Sequence, residues 1–98
     1  MEVEFADAKL DQLEIDPHFF GGFSAPVVSL FRRRMQMIRN APDERDFYQL
    51  KALHFEKLKG KRSHQFSMRL NDQWRLILEF KGKIPDKIVV VVEIADYH

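Results

Sequence analysis

Two periodicities divide this chain. Between residues 24 and 40 the apolar positions recur at helical spacing: Val28, Phe31, Met35 and Ile38 follow one another at three, four and three residues, and Val27, Leu30 and Met37 broaden the stripe. From residue 64 the period falls to two. His64, Phe66, Met68 and Leu70 alternate with Gln65, Ser67 and Arg69, and after a break Trp74, Leu76, Leu78 and Phe80 alternate with Arg75, Ile77 and Glu79. The first pattern predicts a helix lying on a sheet, the second a hairpin. A three-residue loop, Asn71-Asp72-Gln73, sets Leu70 opposite Trp74, Met68 opposite Leu76 and Phe66 opposite Leu78, so that both apolar sets face one core. The same register sets Arg69 opposite Arg75, an unfavourable cross-strand pair unless an anion or a local acid such as Glu79, Glu93 or Glu56 lies between or beside them.

The rest of the chain falls into place around these two segments. Val3 and Phe5 alternate with Glu2 and Glu4 as a short strand at or near an edge. Asp7 is placed to cap a brief helix that carries Leu10 and Leu13 and ends before Pro17. His18 to Ser24, HFFGGFS, reads as a loop whose Phe19, Phe20 and Phe23 pack on the core rather than stack on bases. Ser24 and Pro26 open the main helix, and Asn40, Pro42 and Asp43 close it. Residues 43 to 50 suit a short further helix. Leu53 to Leu58 is expected as a strand, with Leu53, Phe55 and Lys57 alternating against His54, Glu56 and Leu58, before Gly60 begins the connection to the hairpin. A polar turn from Lys81 past Pro85 and Asp86 leads into Lys87 to Ala95, KIVVVVEIA, whose continuous apolar run predicts a central strand covered on both faces. Glu93 then falls on the face of Val89 and Val91 and needs a cationic partner, for which Arg75 is the natural candidate.

Composition narrows the classes. Ninety-eight residues make a single domain, 1–98, with a core of its own. There is no cysteine, and the four histidines form no metal-binding pair of the HExxH kind, so neither a disulfide, a thiolate zinc site nor metal dependence is expected. The acidic start MEVEF argues against a secretory signal, and the longest apolar run, Ile88 to Val92, is too short to span a bilayer. The expectation is a soluble cytoplasmic protein with no membrane partner. The net charge of +1 hides a segregation. Residues 1 to 16 carry six acids and one base, whereas from Lys57 to Arg75 six cations (Lys57, Lys59, Lys61, Arg62, Arg69, Arg75) face one acid, Asp72, a local net of +5. Arg32, Arg33 and Arg34 in the main helix are expected to fringe its buried stripe as solvated cations, with docking of an acidic partner protein as the functional alternative.

Three segments, LKG at Leu58 to Gly60, SMRLNDQWRL at Ser67 to Leu76 and VEIADYH at Val92 to His98, together resemble the HigB branch of the RelE superfamily, small bacterial toxins of type II toxin-antitoxin modules. The resemblance is close over residues 50 to 98 and extends to the N-terminal half in outline. It implies an α+β domain of the small RelE-like fold, with N-terminal helices packed on a mainly antiparallel twisted sheet. It implies a metal-independent, cofactor-free endoribonuclease that cleaves messenger RNA in the ribosomal A site and is held inactive by a HigA-like helix-turn-helix antitoxin. The positions it carries over are Lys59, Arg75, Asp96, Tyr97 and His98. Family members often have a histidine three residues before the LKG lysine, where this chain has Glu56 and places its histidine at 54. Either His54 serves from one step away on the same strand face, or Glu56 replaces it as base, or the site is weakened.

The chemistry suits these residue types. RNA cleavage without metal needs a base for the 2′-hydroxyl, cations for the charge building on the phosphoryl oxygens and an acid for the departing 5′-oxygen. Lys59, Arg75 and Arg69 offer the cations, while Lys57, Lys61 and Arg62 extend the RNA-binding surface. His98 is expected to transfer the proton, with Tyr97 as orienter or alternate base, His54 as helper and Asp96 holding His98 or an arginine in place. Two other readings remain at this stage: a ParE-like inhibitor of DNA gyrase with the same general fold, and an RNA-binding relative with weakened catalysis.

Overall fold

The computed structural model describes residues 1–83 and 86–96. Three helices and five strands follow in the order β1 (Glu2–Phe5), α1 (Ala8–Ile15), α2 (Ala25–Asn40), α3 (Arg45–Gln49), β2 (Glu56–Lys57), β3 (Gln65–Arg69), β4 (Trp74–Lys81) and β5 (Ile88–Asp96). The strands form one sheet in the order β1-β5-β4-β3-β2, antiparallel except where β1 runs parallel to β5. The fold is α+β, as expected, with β1 at an edge.

Capping decides where the helices begin. Asp7 accepts from the Lys9 N–H and starts α1; Ser24 accepts from the Val27 N–H and starts α2. Arg32 closes α1 from the side, donating Nε to the Leu13 carbonyl at 3.0 Å and Nη2 to the carbonyls of Asp16 at 2.8 Å and Phe19 at 3.3 Å. That role corrects the expectation of a merely solvated cation: one side chain bonds three carbonyls at and just beyond the end of α1. The N-terminal ammonium does likewise at the far end of α2, donating to the carbonyls of Arg39 at 2.9 Å and Ala41 at 2.8 Å.

The stripe of α2 (Val27, Val28, Phe31, Met35, Ile38) is buried against Met68, Leu76, Leu78, Val89 and Val91 of the sheet, with Leu10 and Leu13 of α1 and Phe47 of α3 completing the core. Burying a side chain of this size is worth about 1.5–3 kcal/mol. The hairpin register is the expected one, with Phe66 opposite Leu78, Met68 opposite Leu76 and Arg69 opposite Arg75.

Four further expectations fail. Phe20 is 43 % exposed, under the Arg32 guanidinium, while Phe19 and Phe23 are half-buried against the core. The strand expected over residues 53 to 58 shrinks to Glu56 and Lys57, because Lys51–Leu53 forms a 3-10 turn and His54 follows it in the left-handed region at φ 45°. β5 is interior but not covered on both faces: the helices lie over Val89 and Val91, and Ile88, Val90 and Ala95 are only half-buried on the other side. Finally, a bulge reverses the strand's parity. Leu78 pairs with Val91 but Ile77 with Glu93, which leaves Val92 as the extra residue and turns Glu93 away from the face of Val89 and Val91.

Candidate active site and nucleic-acid interface

Lys57, opposite Phe66, falls on the helix-covered side, but the helix-free face of the sheet carries Arg69 and Arg75 and is bordered by the loop that bears Lys59, Lys61 and Arg62. It is built from alternate residues: Gln65, Ser67 and Arg69 on β3, Arg75, Ile77 and Glu79 on β4, Glu93 after the bulge on β5. Ile77 is 3 % exposed yet lies outside the main core cluster, and Ser67 beside it is 2 % exposed. Ser67 Oγ is buried with no hydrogen-bond partner among the described residues.

A loop borders one end of this strip. The Leu58 N–H bonds to the Gln65 carbonyl at 2.9 Å, the chain turns at Gly60 with φ 68°, and a 3-10 turn over Gly60–Arg62 is closed by the Ser63 N–H on the Gly60 carbonyl at 3.1 Å. Lys59 and Lys61 are exposed on this loop. Arg62 ties it down, donating Nε to Gln65 Oε1 at 2.6 Å and Nη2 to Glu93 Oε1 at 3.2 Å. Gln65, only 7 % exposed, passes the connection on through Nε2 to Glu79 at 2.7 Å, and His64 Nε2 lies 3.6 Å from the same carboxylate. Arg62 is therefore the partner that Glu93 finds.

The hairpin loop borders the other end. Asn71 Oδ1 accepts from the backbone N–H groups of Gln73 at 2.9 Å and Trp74 at 2.8 Å, an Asx-type turn that fixes the loop. Arg69 and Arg75 stand side by side before and after it, Arg69 paired with Asp72 and Arg75 with Nε and Nη1 buried. Asp96 closes this corner from β5, level with Trp74, and accepts from Gln73 Nε2 at 3.2 Å. Arg34 reaches the same corner from α2, its Nε 3.2 Å from the Arg69 carbonyl. Burial lowers the Arg34 pKa from its ordinary value, and the charges of Arg69 and Arg33 lower it further.

The sequence-predicted residues thus fall into two groups rather than one. Lys59, Lys61 and Arg62 are on the loop; Arg69, Arg75 and Asp96 are at the hairpin corner. Between them run four residues of β3, about 13 Å of strand. Lys57 is exposed on β2, opposite Phe66. His54 is exposed too, but its left-handed backbone takes it out of the strand, so it does not share a strand face with Glu56. Tyr97 and His98 lie outside the described residues. The sequence does not single out Gln65, which reads as an ordinary polar position of a strand, or Arg34, which is indistinguishable by composition from its two neighbours; Glu79, named as an acid for the sheet arginines, bonds to Gln65 instead. Among the described residues no cluster of three or more His, Asp or Glu side chains is arranged to hold a metal ion, and no helix is long and apolar enough to cross a membrane.

Over residues 3–98 the chain matches the family described as RelE-like toxin of type II toxin-antitoxin system HigB. Among solved structures it is similar to a YoeB/ParE toxin from Agrobacterium tumefaciens, with a TM-score of 0.63 and 19 % identity over 100 % of both chains. It is also similar to a conserved hypothetical protein from Helicobacter pylori, with a TM-score of 0.54 and 13 % identity over 99 % of this chain and 94 % of the other. At such identities both likenesses concern the fold alone. No curated protein sequence matches the chain.

Proposed function

The chain belongs to the HigB-like family, the RelE-like toxins of type II toxin-antitoxin systems, and from that premise we propose that it is a metal-independent endoribonuclease that cuts messenger RNA in the ribosomal A site. One observation supports this above the others: cations from a loop and a hairpin border a helix-free strip of sheet, while acids dominate the N-terminal segment. A strand of RNA laid along β3 and β4 meets Lys59 and Lys61 at one end and Arg69 and Arg75 at the other. Phosphate contacts of this kind hold a nucleic acid in place without reading its sequence.

In the proposed reaction a base takes the proton of a 2′-hydroxyl, the 2′-oxygen bonds to the adjacent phosphorus, and the bond to the 5′-oxygen breaks as an acid protonates it. Lys59 and Arg75, whose long side chains reach toward the phosphate from the two ends of the strip, offset the charge that builds on the phosphoryl oxygens, and Arg69 supports them. His98 transfers the proton, with Tyr97 orienting it and His54 as helper; for the two terminal residues this rests on the DYH ending. Asp96 positions this group from the end of β5. Family membership brings an antitoxin partner, for which we propose a HigA-like protein with a helix-turn-helix domain.

Primer extension on messages undergoing translation tests the reading. Induction of the wild-type chain is expected to give new 5′ ends within translated frames. Deletion of Tyr97 and His98 is expected to abolish both these ends and growth arrest while antitoxin capture persists. Growth arrest with intact messages and blocked gyrase supercoiling would instead place the chain with ParE-like toxins.

A further inference from the structure

Two arginines from different elements approach each other at the hairpin corner: Arg34 of α2 donates Nε to the carbonyl of Arg69 on β3 at 3.2 Å, and Arg69 stands opposite Arg75 of β4. Among the described residues no acid lies within ion-pair distance of Arg34, and the groups that act on its charge are the guanidinium groups of Arg69 and Arg33. Its backbone contact uses Nε alone, donated to the Arg69 carbonyl, which lies beyond the part of β3 that pairs with β2. That single bond fixes the side chain at the edge of the sheet and leaves the Nη edge of its fork for an acceptor. Arg69 is held by Asp72, whose side chain is 95 % exposed, and so exposed an ion pair is readily exchanged for another anion.

Arginines gathered against their mutual repulsion, with planar forks matched to oxyanions, suit a phosphate. Neighbouring arginines show that the site is particular to residue 34. Arg32 spends its donors on three carbonyls, and Arg39 forms a two-point ion pair with Glu14 at 2.7 and 2.8 Å. Arg34 commits only Nε to a carbonyl and has no carboxylate within ion-pair distance among the described residues.

We propose that Arg34, together with Arg69, forms a second phosphate-binding subsite at the hairpin corner, which holds a backbone phosphate next to the one being cleaved. The subsite rests on the endoribonuclease reading, and Arg34 in it is a positioning residue that touches the strand away from the reacting atoms. Asp72 occupies the Arg69 fork until the phosphate displaces it.

The test is the salt dependence of binding, measured by fluorescence anisotropy with a labelled single-stranded RNA methylated at every 2′-oxygen so that it is not cut. Each phosphate neutralised on a single strand contributes about 0.7 to the slope of log affinity against log salt. Arg34→Gln is expected to lower the slope by about that amount, Arg34→Lys to keep it, and Asp72→Asn to tighten binding at low salt, all with unchanged thermal midpoints. A slope for Arg34→Gln equal to that of the wild type overturns the subsite but leaves the nuclease reading standing. Wild-type protein that does not bind the RNA also overturns the subsite, whereas the nuclease reading stands or falls on the new 5′ ends in translated messages. Arg34→Gln that binds RNA normally but loses affinity for the antitoxin also overturns the subsite, and assigns this corner to an acidic protein segment.

Discussion

The two faces of the sheet bury their central residues by different means. Under α2, Met68, Leu76, Leu78, Val89 and Val91 are sealed by apolar side chains alone. On the opposite face Gln65, Ser67 and Ile77 are nearly as inaccessible, yet no helix lies over them; a short loop held by Arg62, Gln65, Glu79 and Glu93 borders the strip instead. The first arrangement is non-directional and strong. The second depends on a few hydrogen bonds with fixed partners, so it holds a loop in position at low cost to its exchange with solvent. A face that must accept a polyanion needs the second kind.

This contrast is open to attack at several points. The largest effect is expected from Phe31→Ala, which opens a cavity beneath the sheet: a loss of about 3–5 kcal/mol in urea unfolding, with activity falling only as the folded fraction does. Next comes Gln65→Met, which keeps the volume but removes both bonds of the clamp. A loss of about 1–3 kcal/mol is expected, and the sharper readout is trypsin, which should cut after Lys59 and Lys61 before any site under the helices. Should Gln65→Met leave those sites as protected as in the wild type, the clamp does not hold the loop. Glu93→Gln breaks only a half-exposed ion pair with Arg62, so the expected change is about 0–1 kcal/mol. The smallest effect lies away from both faces. Hydrogen bonds from Arg45 hold the Asp43 carboxyl at about 2, below its ordinary 3.8. A depressed carboxyl stabilises the fold above its unfolded value, and that contribution disappears as pH falls through the folded value. The small deficit of Asp43→Asn at neutral pH should therefore vanish near pH 2 on acid titration.

The helix-covered face was legible in the residues because period alone decides it. A strict alternation over Phe66, Met68 and Leu70, continued at Trp74, Leu76 and Leu78, admits one hairpin register when both sets must be buried, and the structure has that register. The same logic failed for Glu93, because alternation beyond a bulge inverts and nothing in a run of four valines marks where the extra residue lies. It failed for residues 53 to 58 as well, where a left-handed histidine interrupts what reads as an uninterrupted strand. On the other face the residue types of the cationic site were visible, while their grouping was not. Whether Lys59 stands beside Arg75 or a strand's length away depends on how a seven-residue loop folds back, and this is set by the Arg62–Gln65 bond rather than by local spacing. Arg32, Arg33 and Arg34 differ only in the roughly 100° that separates successive helical side chains, yet one caps a helix, one is exposed and one reaches the hairpin.

Lys59 offers the most direct test of the central claim that the helix-free face is the catalytic surface. It is exposed on the loop, so its removal should leave folding untouched. The measurement is the rate of message cleavage on translating ribosomes for Lys59→Ala, alongside its thermal midpoint. The expected result is a midpoint equal to that of the wild type with cleavage slowed by about 10²-fold or more, the scale of losing one charge-stabilising group. Wild-type cleavage by the folded variant would contradict the account.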